Sequence, residues 1–211
     1  MRRPLHDDLD AFARTPLQHE PCDFLVVPGF VRADAVDAIN RDYPLIDKPG
    51  NFAPEDLTYG PAFAALLEEL HGPDLRRAYA EKFGFDVSDF PLQVTVRKFS
   101  EASDGNVHND SKMKMITTLI YFNKGWQAAG GRLRLMRSPK DINAYAVEVP
   151  PEAGTLLTFR RSETSYHGFV PYEGERRSLQ MYWVKPKRDH RGEKTLTLKK
   201  RIKRFFKERA R

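Results

Sequence analysis

The stretch MKMITTLIYFN, residues 113–123, is short, rich in β-branched and aromatic side chains, and bounded by turn-forming residues. These features are typical of a β-strand. Six further segments of the same kind lie within residues 91–184: LQVTVRKF, RLRLM, AYAVEV, GTLLTF, SYHGFV and RRSLQMYWV. The turns between them leave no room for a helix, so the pattern predicts a β-sandwich or a double-sheet barrel.

The first ninety residues have a different pattern. Apolar residues recur at helical spacing in RADAVDAINRDYP, PAFAALLEELHG and PDLRRAYAEKFG, whereas FLVVPGF is typical of one early extended piece. We therefore expect a single domain with three parts: a helical support region at 1–90, packed on one outer face of a mainly β core at 91–184, and a tail at 185–211.

Composition indicates a globular chain, because 40% of the residues are apolar and 30% are charged. No apolar run approaches the length of a membrane span, and the N-terminus has acidic residues where a secretory signal would be apolar. Cys22 is the single cysteine, which excludes a disulfide within the chain and fits a reducing cytoplasm. The sequence thus predicts a cytoplasmic protein.

The positive charge is concentrated in the tail. Residues 185–211 contain 13 Lys and Arg against 3 Asp and Glu, and the rest of the chain has 22 against 26, so the net charges of +10 and −4 give the total of +6. Residues 196–211 combine cations with an apolar stripe at roughly helical spacing, which predicts a basic C-terminal helix. Packing on the body, an anionic membrane surface at the inner face, nucleic acid phosphates and an acidic partner all remain open for it.

The segment VHND, at 107–110, places His108 and Asp110 one residue apart at the head of an extended segment. Side chains at i and i+2 of a strand point to one face, so both can contact one ion. An imidazole and a carboxylate are two parts of the facial triad of non-haem Fe(II) oxygenases. Of the six histidines, His167 is the one in the strand region that follows. Arg176, nine residues further on, can present a planar guanidinium to a carboxylate near the metal.

With these residues, the segments LIYFN, GGRLRL, PPEAGTLLTF and HGFVPYEGERRSLQMYW resemble the Fe(II)- and 2-oxoglutarate-dependent dioxygenases, in the prolyl-4-hydroxylase-like branch. The resemblance covers about residues 91–184. It implies a double-stranded β-helix core (a jelly-roll, cupin-like fold) in which His108, Asp110 and His167 bind Fe(II). Arg176 would bind the distal carboxylate of 2-oxoglutarate, with Arg177 as the alternative.

The implied activity is hydroxylation by O2 of an unidentified substrate, with ascorbate as a reductant in assays. A protein side chain such as prolyl, a small metabolite and a saccharide-linked molecule are the candidates. Two departures from the family pattern exist: the usual G-G-E-L has Arg132 in the acidic position, and Phe99 stands where many members have a tyrosine that contacts the cosubstrate.

Alternative readings of these residues stay open. The chain could be a cupin-like metal-binding protein without turnover, or a nucleic acid demethylase, although the body's charge of −4 argues against a nucleic acid groove. Lys112 and Lys114 are interpreted as surface charge, with binding of an acidic substrate as the alternative. Trp126 is interpreted as a packing residue that could instead line the mouth of the site.

Overall fold

The computed structural model describes residues 8–186. Within that range the helices are α1 Leu9–Arg14, α2 Ala33–Arg41, α3 Pro61–Leu70 and α4 Pro73–Phe83, with a 3₁₀ turn at Pro54–Asp56. The strands are β1 Phe24–Val27, β2 Leu92–Ser100, β3 Lys114–Tyr121, β4 Leu133–Met136, β5 Tyr145–Val149, β6 Leu156–Arg160, β7 His167–Gly168 and β8 Gly174–Val184. The predicted basic helix at 196–211 lies outside the described residues, as does the membrane or acidic partner assigned to it.

The strands form two antiparallel sheets, one of five strands in the order β1-β6-β3-β8-β2 and one of three in the order β5-β4-β7. Apolar side chains from both sheets pack against each other, with Leu119 and Phe159 from the larger sheet and Leu133 and Val149 from the smaller. The predicted mainly β, double-stranded β-helix architecture is confirmed.

The helices cover the other face of the five-stranded sheet. Sequence signals set their limits: α3 and α4 each begin with a proline, which needs no N–H partner in a first helical turn, and α4 ends at Gly84 with φ of 67°. Buried residues of the helices, such as Phe63 and Tyr79, pack with sheet residues such as Ile120 and Trp183 in one apolar cluster. Among residues 8–186, no helix has the length and apolar character needed to cross a bilayer.

Two strands depart from the pattern read in the sequence. The early extended piece is not isolated, because β1 pairs with β6 at Phe24 opposite Phe159 and so belongs to the larger sheet. The predicted strand SYHGFV is reduced to the two residues of β7, although its position next to β4 places His167 between the sheets.

Candidate active site

The structure brings the three candidate metal ligands together. The ligand atoms of His108, Asp110 and His167 all lie within 4.8 Å of one another. Asp110 Oδ2 is 4.0 Å from His167 Nε2, and the two imidazole centroids are 4.3 Å apart. Asp110 and His167 are buried, whereas His108 is exposed. An imidazole pair and a carboxylate at this spacing can face a single ion.

Backbone pairing between two distant segments produces this convergence. His108 and His167 form an antiparallel bridge with two N–H to O=C hydrogen bonds of 2.9 Å. The segments approach so closely beside it that a Cβ at Gly168 would lie 2.7 Å from the Gly105 carbonyl oxygen. Glycine is therefore required at that crossing.

Asn109, which lies between His108 and Asp110 in the sequence, forms hydrogen bonds that also join the segment of these candidate ligands to the segment before His167. Its amide donates to the Ser162 carbonyl at 2.7 Å and accepts from the Ser165 hydroxyl at 2.8 Å. The Asn109 side chain therefore connects the segment of the H-x-D pair to the segment that leads to His167.

Each imidazole is oriented by a hydrogen bond from its Nδ1. His108 Nδ1 is 2.9 Å from the Asn106 carbonyl oxygen, and His167 Nδ1 is 3.0 Å from the Ser165 carbonyl oxygen. A carbonyl can only accept, so Nδ1 carries the proton in both rings and Nε2 keeps its lone pair for a metal. Burial lowers the pKa of His167 to about 4, so this ring is neutral at pH 7.

Asp110 is held ionised although it is buried. Burial raises the pKa of its carboxyl, but His167, the Lys114 ammonium and hydrogen bonds from Lys114 and Thr117 outweigh that effect and leave the pKa below its ordinary value. Lys114 Nζ is 2.5 Å from Oδ1, and Thr117 Oγ1 is 2.5 Å from Oδ2. The carboxylate is therefore charged and fixed before any metal binds.

The interpretation of Lys114 as surface charge is wrong. Strand alternation would place its side chain with Ile116 on the helix-covered face, but the pairing of β3 with β8 slips between the two residues: Lys114 is opposite Val184, and Ile116 is opposite Trp183. The extra residue is a β-bulge, which turns the Lys114 side chain toward the cavity between the sheets. Lys112 is exposed, as predicted.

Neighbouring arginines of β8 point in opposite directions. Arg176 is 2% exposed and lines the cavity that contains His108, Asp110 and His167. Arg177 lies on the other side, where its guanidinium donates to the Asn40 carbonyl oxygen and side chain and to Glu175. The alternation of the strand predicts this separation, and of the two arginines Arg176 alone lines the cavity.

Arg176 leaves part of its donor capacity unused. Its Nε donates to the Gly131 carbonyl oxygen at 2.7 Å, and its guanidinium lies 4.5 Å from the centroid of Phe169. Within the described range 8–186, the buried Nη2 has no hydrogen-bond partner. The buried hydroxyl of Tyr121, whose ring centroid lies 5.3 Å from the same guanidinium, also lacks a partner among residues 8–186. Buried donors without acceptors are costly, so this end of the cavity is suited to an anion that supplies them.

The cavity has a volume of about 440 Å³ and is lined from both sheets. Leu119 and Leu133 form apolar wall, while Asn51, Gln180 and Tyr182 supply polar groups. A larger cavity of about 630 Å³ lies elsewhere, beside Arg177 and the loop after β3, and contains none of the candidate ligands. We place the chemistry in the smaller cavity because the metal-ligating atoms and the unpaired guanidinium nitrogen are there.

Three other sequence interpretations meet the structure here. Trp126 packs against Tyr172 with ring centroids 4.6 Å apart and lines the larger cavity, which agrees with the packing interpretation. Phe99 packs at the edge of the helix-side core, outside the candidate site. Arg132 forms an ion pair with Glu148 on β5 and leaves the strand intact.

Sequence reasoning missed Lys114, Thr117 and Tyr121 as members of the site. Thr117 and Tyr121 share a strand face, which their spacing in MKMITTLIYFN indicates. The pattern of this segment does not predict the β-bulge that brings the Lys114 side chain to the same face.

Comparison with known families agrees with this geometry. Residues 94–185, which include the three candidate ligands and Arg176, match the family model of the 2OG-Fe(II) oxygenase superfamily. This part of the chain is therefore similar to the 2OG-Fe(II) oxygenase superfamily. Enzymes of this superfamily use Fe(II), 2-oxoglutarate and O2, and the chain is accordingly an oxygenase of the hydroxylase type. No curated protein sequence matches the chain.

Solved structures share the oxygenase fold at low identity. A Pseudomonas putida prolyl-4-hydroxylase is 21% identical with a TM-score of 0.58, over 87% of this chain and 98% of that chain. A Phytophthora capsici prolyl 4-hydroxylase is 16% identical with a TM-score of 0.55, over 99% and 77%. A Trichoplax adhaerens prolyl hydroxylase, in complex with a hypoxia inducible factor peptide fragment, is 13% identical with a TM-score of 0.54, over 83% and 88%.

The residues of this oxygenase fit the groups that the superfamily uses. Two imidazole nitrogens and one ionised carboxylate match the donor set of a non-haem Fe(II) centre. The partnerless Nη2 of Arg176 matches a carboxylate at the far end of a dicarboxylic acid. The same cavity therefore has a place for the metal and a place for the cosubstrate's anionic end.

Proposed function

We propose that this oxygenase is a 2-oxoglutarate-dependent hydroxylase in which His108, Asp110 and His167 bind Fe(II) and Arg176 binds the distal carboxylate of 2-oxoglutarate. One observation carries the proposal: three candidate ligand atoms within 4.8 Å of one another share a cavity with a buried guanidinium nitrogen that no described residue pairs with. Iron and 2-oxoglutarate would supply the chemistry, in which decarboxylation to succinate is coupled to insertion of one oxygen atom of O2 into a C–H bond.

The protein's own residues would bind the metal and the cosubstrate, orient them, and exclude water from the cavity. The Nδ1 hydrogen bonds hold both imidazoles with Nε2 toward the metal, and Lys114 and Thr117 hold the Asp110 carboxylate. The Tyr121 hydroxyl is the second candidate donor to 2-oxoglutarate. It would take the role of the tyrosine that many family members have at the position of Phe99.

For the substrate, the proposal covers a saturated carbon of a protein side chain such as prolyl, a small metabolite or a saccharide-linked molecule. Prolyl is supported by the fold shared with prolyl hydroxylases. Nucleic acid demethylation is disfavoured by the net charge of −4 on residues 1–184, which contain 22 basic and 26 acidic residues.

Succinate formation tests the reaction class. The full chain, incubated with Fe(II), 2-oxoglutarate and ascorbate, is expected to release succinate, and an Asp110→Ala variant is expected to release none, because the metal loses its anionic ligand. Lys112→Met, at an exposed position nearby, is the matched control and should retain activity. A wild-type chain that binds Fe(II) but forms no succinate, with or without cell extract, would leave the cupin-like binding protein as the better reading.

Mass spectrometry of the same incubations addresses the substrate. A cosubstrate-dependent mass gain of one oxygen atom, absent with Asp110→Ala, would identify the hydroxylated molecule. A loss of methyl groups from nucleic acid under these conditions would replace hydroxylation by demethylation.

A further inference from the structure

We infer that Lys114 is a positioning residue that restricts Asp110 to a single metal-binding oxygen and so keeps a coordination position open for 2-oxoglutarate and O2. The inference rests on the proposed function and adds to it a residue outside the ligand set. Its physical content is a competition for one carboxylate oxygen between an ammonium group and a metal ion.

The two carboxylate oxygens of Asp110 have different surroundings. Oδ2 faces the other ligands, at 4.0 Å from His167 Nε2, and accepts the Thr117 hydroxyl at 2.5 Å. Oδ1 accepts the Lys114 ammonium at 2.5 Å. Each carboxylate oxygen has more than one lone pair, so Oδ2 can still bind a metal beside the neutral Thr117 hydroxyl, whereas the ammonium at Oδ1 repels a metal ion from that oxygen.

The ammonium is held at Oδ1 by more than the ion pair. Lys114 Nζ also lies 3.7 Å from the centroid of the Tyr182 ring, which is a cation–π contact. The β-bulge between Lys114 and Ile116 fixes the direction of the side chain at its root. The Lys114 side chain is 26% exposed and that of Asp110 is 4% exposed, so the pair is weakly screened by solvent.

A carboxylate can bind a metal through one oxygen or through both. An Asp110 that used both oxygens would occupy one further position and compete with the keto acid, which needs two positions, or with O2. A cation on Oδ1 prevents that second bond by holding the lone pair and by repelling a second positive charge. The repulsion can be distinguished from a purely structural role. Removal of Lys114 should leave metal affinity unchanged or increased, whereas removal of a residue that only maintained the fold would lower metal affinity.

Mn(II) provides a probe of the open positions without turnover. In the full chain with Mn(II) alone, broadening of the EPR lines by isotopically enriched water counts the water molecules bound to the metal. We expect about three for the wild type, the face left open by a facial triad. Lys114→Met should lose one water with an equal or smaller Mn(II) dissociation constant, and its 2-oxoglutarate affinity should fall about 10-fold or more.

Two variants control the comparison. Lys112→Met removes a neighbouring exposed cation and should keep the wild-type water count and 2-oxoglutarate affinity. Lys114→Arg keeps a cationic donor and should restore most of both. These controls separate the local position of the charge from the loss of one positive charge on the protein.

Several outcomes overturn the inference. The first is a count of two Mn(II)-bound water molecules in the wild type. The second is an unchanged water count in a folded Lys114→Met protein, and the third is a loss of Mn(II) affinity in that variant. A wild type that binds no Mn(II) or Fe(II) would overturn the metal site itself, and that result is distinguishable from failure of the Lys114 role because it precedes any comparison of water counts.

Discussion

Replacement of Arg176 by methionine tests the cosubstrate assignment with the fewest side effects. Methionine fills much of the volume of the side chain without its charge. In the part of the chain that the structure describes, the guanidinium donates from Nε to Gly131, and its buried Nη2 finds no partner. A carboxylate bound there gains charge-assisted hydrogen bonds, each contributing about 1.5–3 kcal/mol.

We take about 3 kcal/mol as the expected loss in Arg176→Met, because one of the hydrogen bonds can be replaced by water. Since each 1.4 kcal/mol is a factor of ten, the dissociation constant of 2-oxoglutarate should rise by about 100-fold. Metal affinity should change little, because Arg176 is not among the ligand atoms that meet at Asp110.

Stability should move in the opposite direction to cosubstrate affinity. Burial lowers the pKa of the Arg176 guanidinium, which reflects the cost of a charge without a counterion. Without 2-oxoglutarate, the Arg176→Met protein should therefore be at least as stable as the wild type. 2-Oxoglutarate at 100 times the wild-type dissociation constant should stabilise the Ni(II)-loaded wild type by about 2.7 kcal/mol. The same concentration should stabilise the variant by only about 0.4 kcal/mol, because it equals the variant's own dissociation constant.

Isothermal titration and thermal unfolding of the Ni(II) forms measure both effects. Arg177→Met is the matched control: the adjacent guanidinium bonds to Asn40 and Glu175 outside the cavity, so 2-oxoglutarate affinity should stay within about two-fold of the wild type. An unchanged dissociation constant in Arg176→Met, or an equal rise in Arg177→Met, would refute the reasoning.

Three further predictions follow from the site. Tyr121→Phe removes a buried hydroxyl without a partner, so 2-oxoglutarate affinity should fall about 5-fold while stability is kept, as titration and urea unfolding will show. The pKa of His167 is lowered by burial from 6.5 to about 4, so the unfolded state takes up the proton first as the pH falls. The metal-free protein should thus lose about 3 kcal/mol of stability between those pH values, and His167→Gln should flatten that dependence in urea unfolding. In Gly168→Ala a Cβ would lie 2.7 Å from the Gly105 oxygen, which should cost about 1–3 kcal/mol and weaken Mn(II) binding; Gly84→Ala, with open space around it, should leave Mn(II) binding intact.

Local patterns in the sequence predict much of this fold. The period-two alternation of RRSLQMYWV places Arg176, Ser178 and Gln180 on one face, and the structure puts Arg176 and Gln180 in the cavity and Leu179 in the helix-side core. The limits of α4 also follow from local residues: Pro73 begins the helix and Gly84 ends it, because each restricts or permits the backbone conformation at its own position.

Contacts between distant segments follow a different rule. The bridge between His108 and His167 joins residues 59 positions apart, and its two hydrogen bonds depend on Gly105 and Gly168 crossing without side chains. The sequence offers the two imidazoles as candidates, but their 4.3 Å separation arises only when both sheets are assembled.

The amino-acid sequence by itself determined most of the strand segments, the helices α2, α3 and α4, and the set of residues with the chemistry of an iron site, because these depend on residue type and on spacing along one chain. The tertiary structure alone decided that β1 enters the larger sheet, that Arg177 bonds to Asn40, and that Lys114 faces Asp110 instead of solvent. The physical reason is the register between strands: one extra residue opposite β8 reverses the direction of a side chain, and that register is set by the packing of partners far away in sequence.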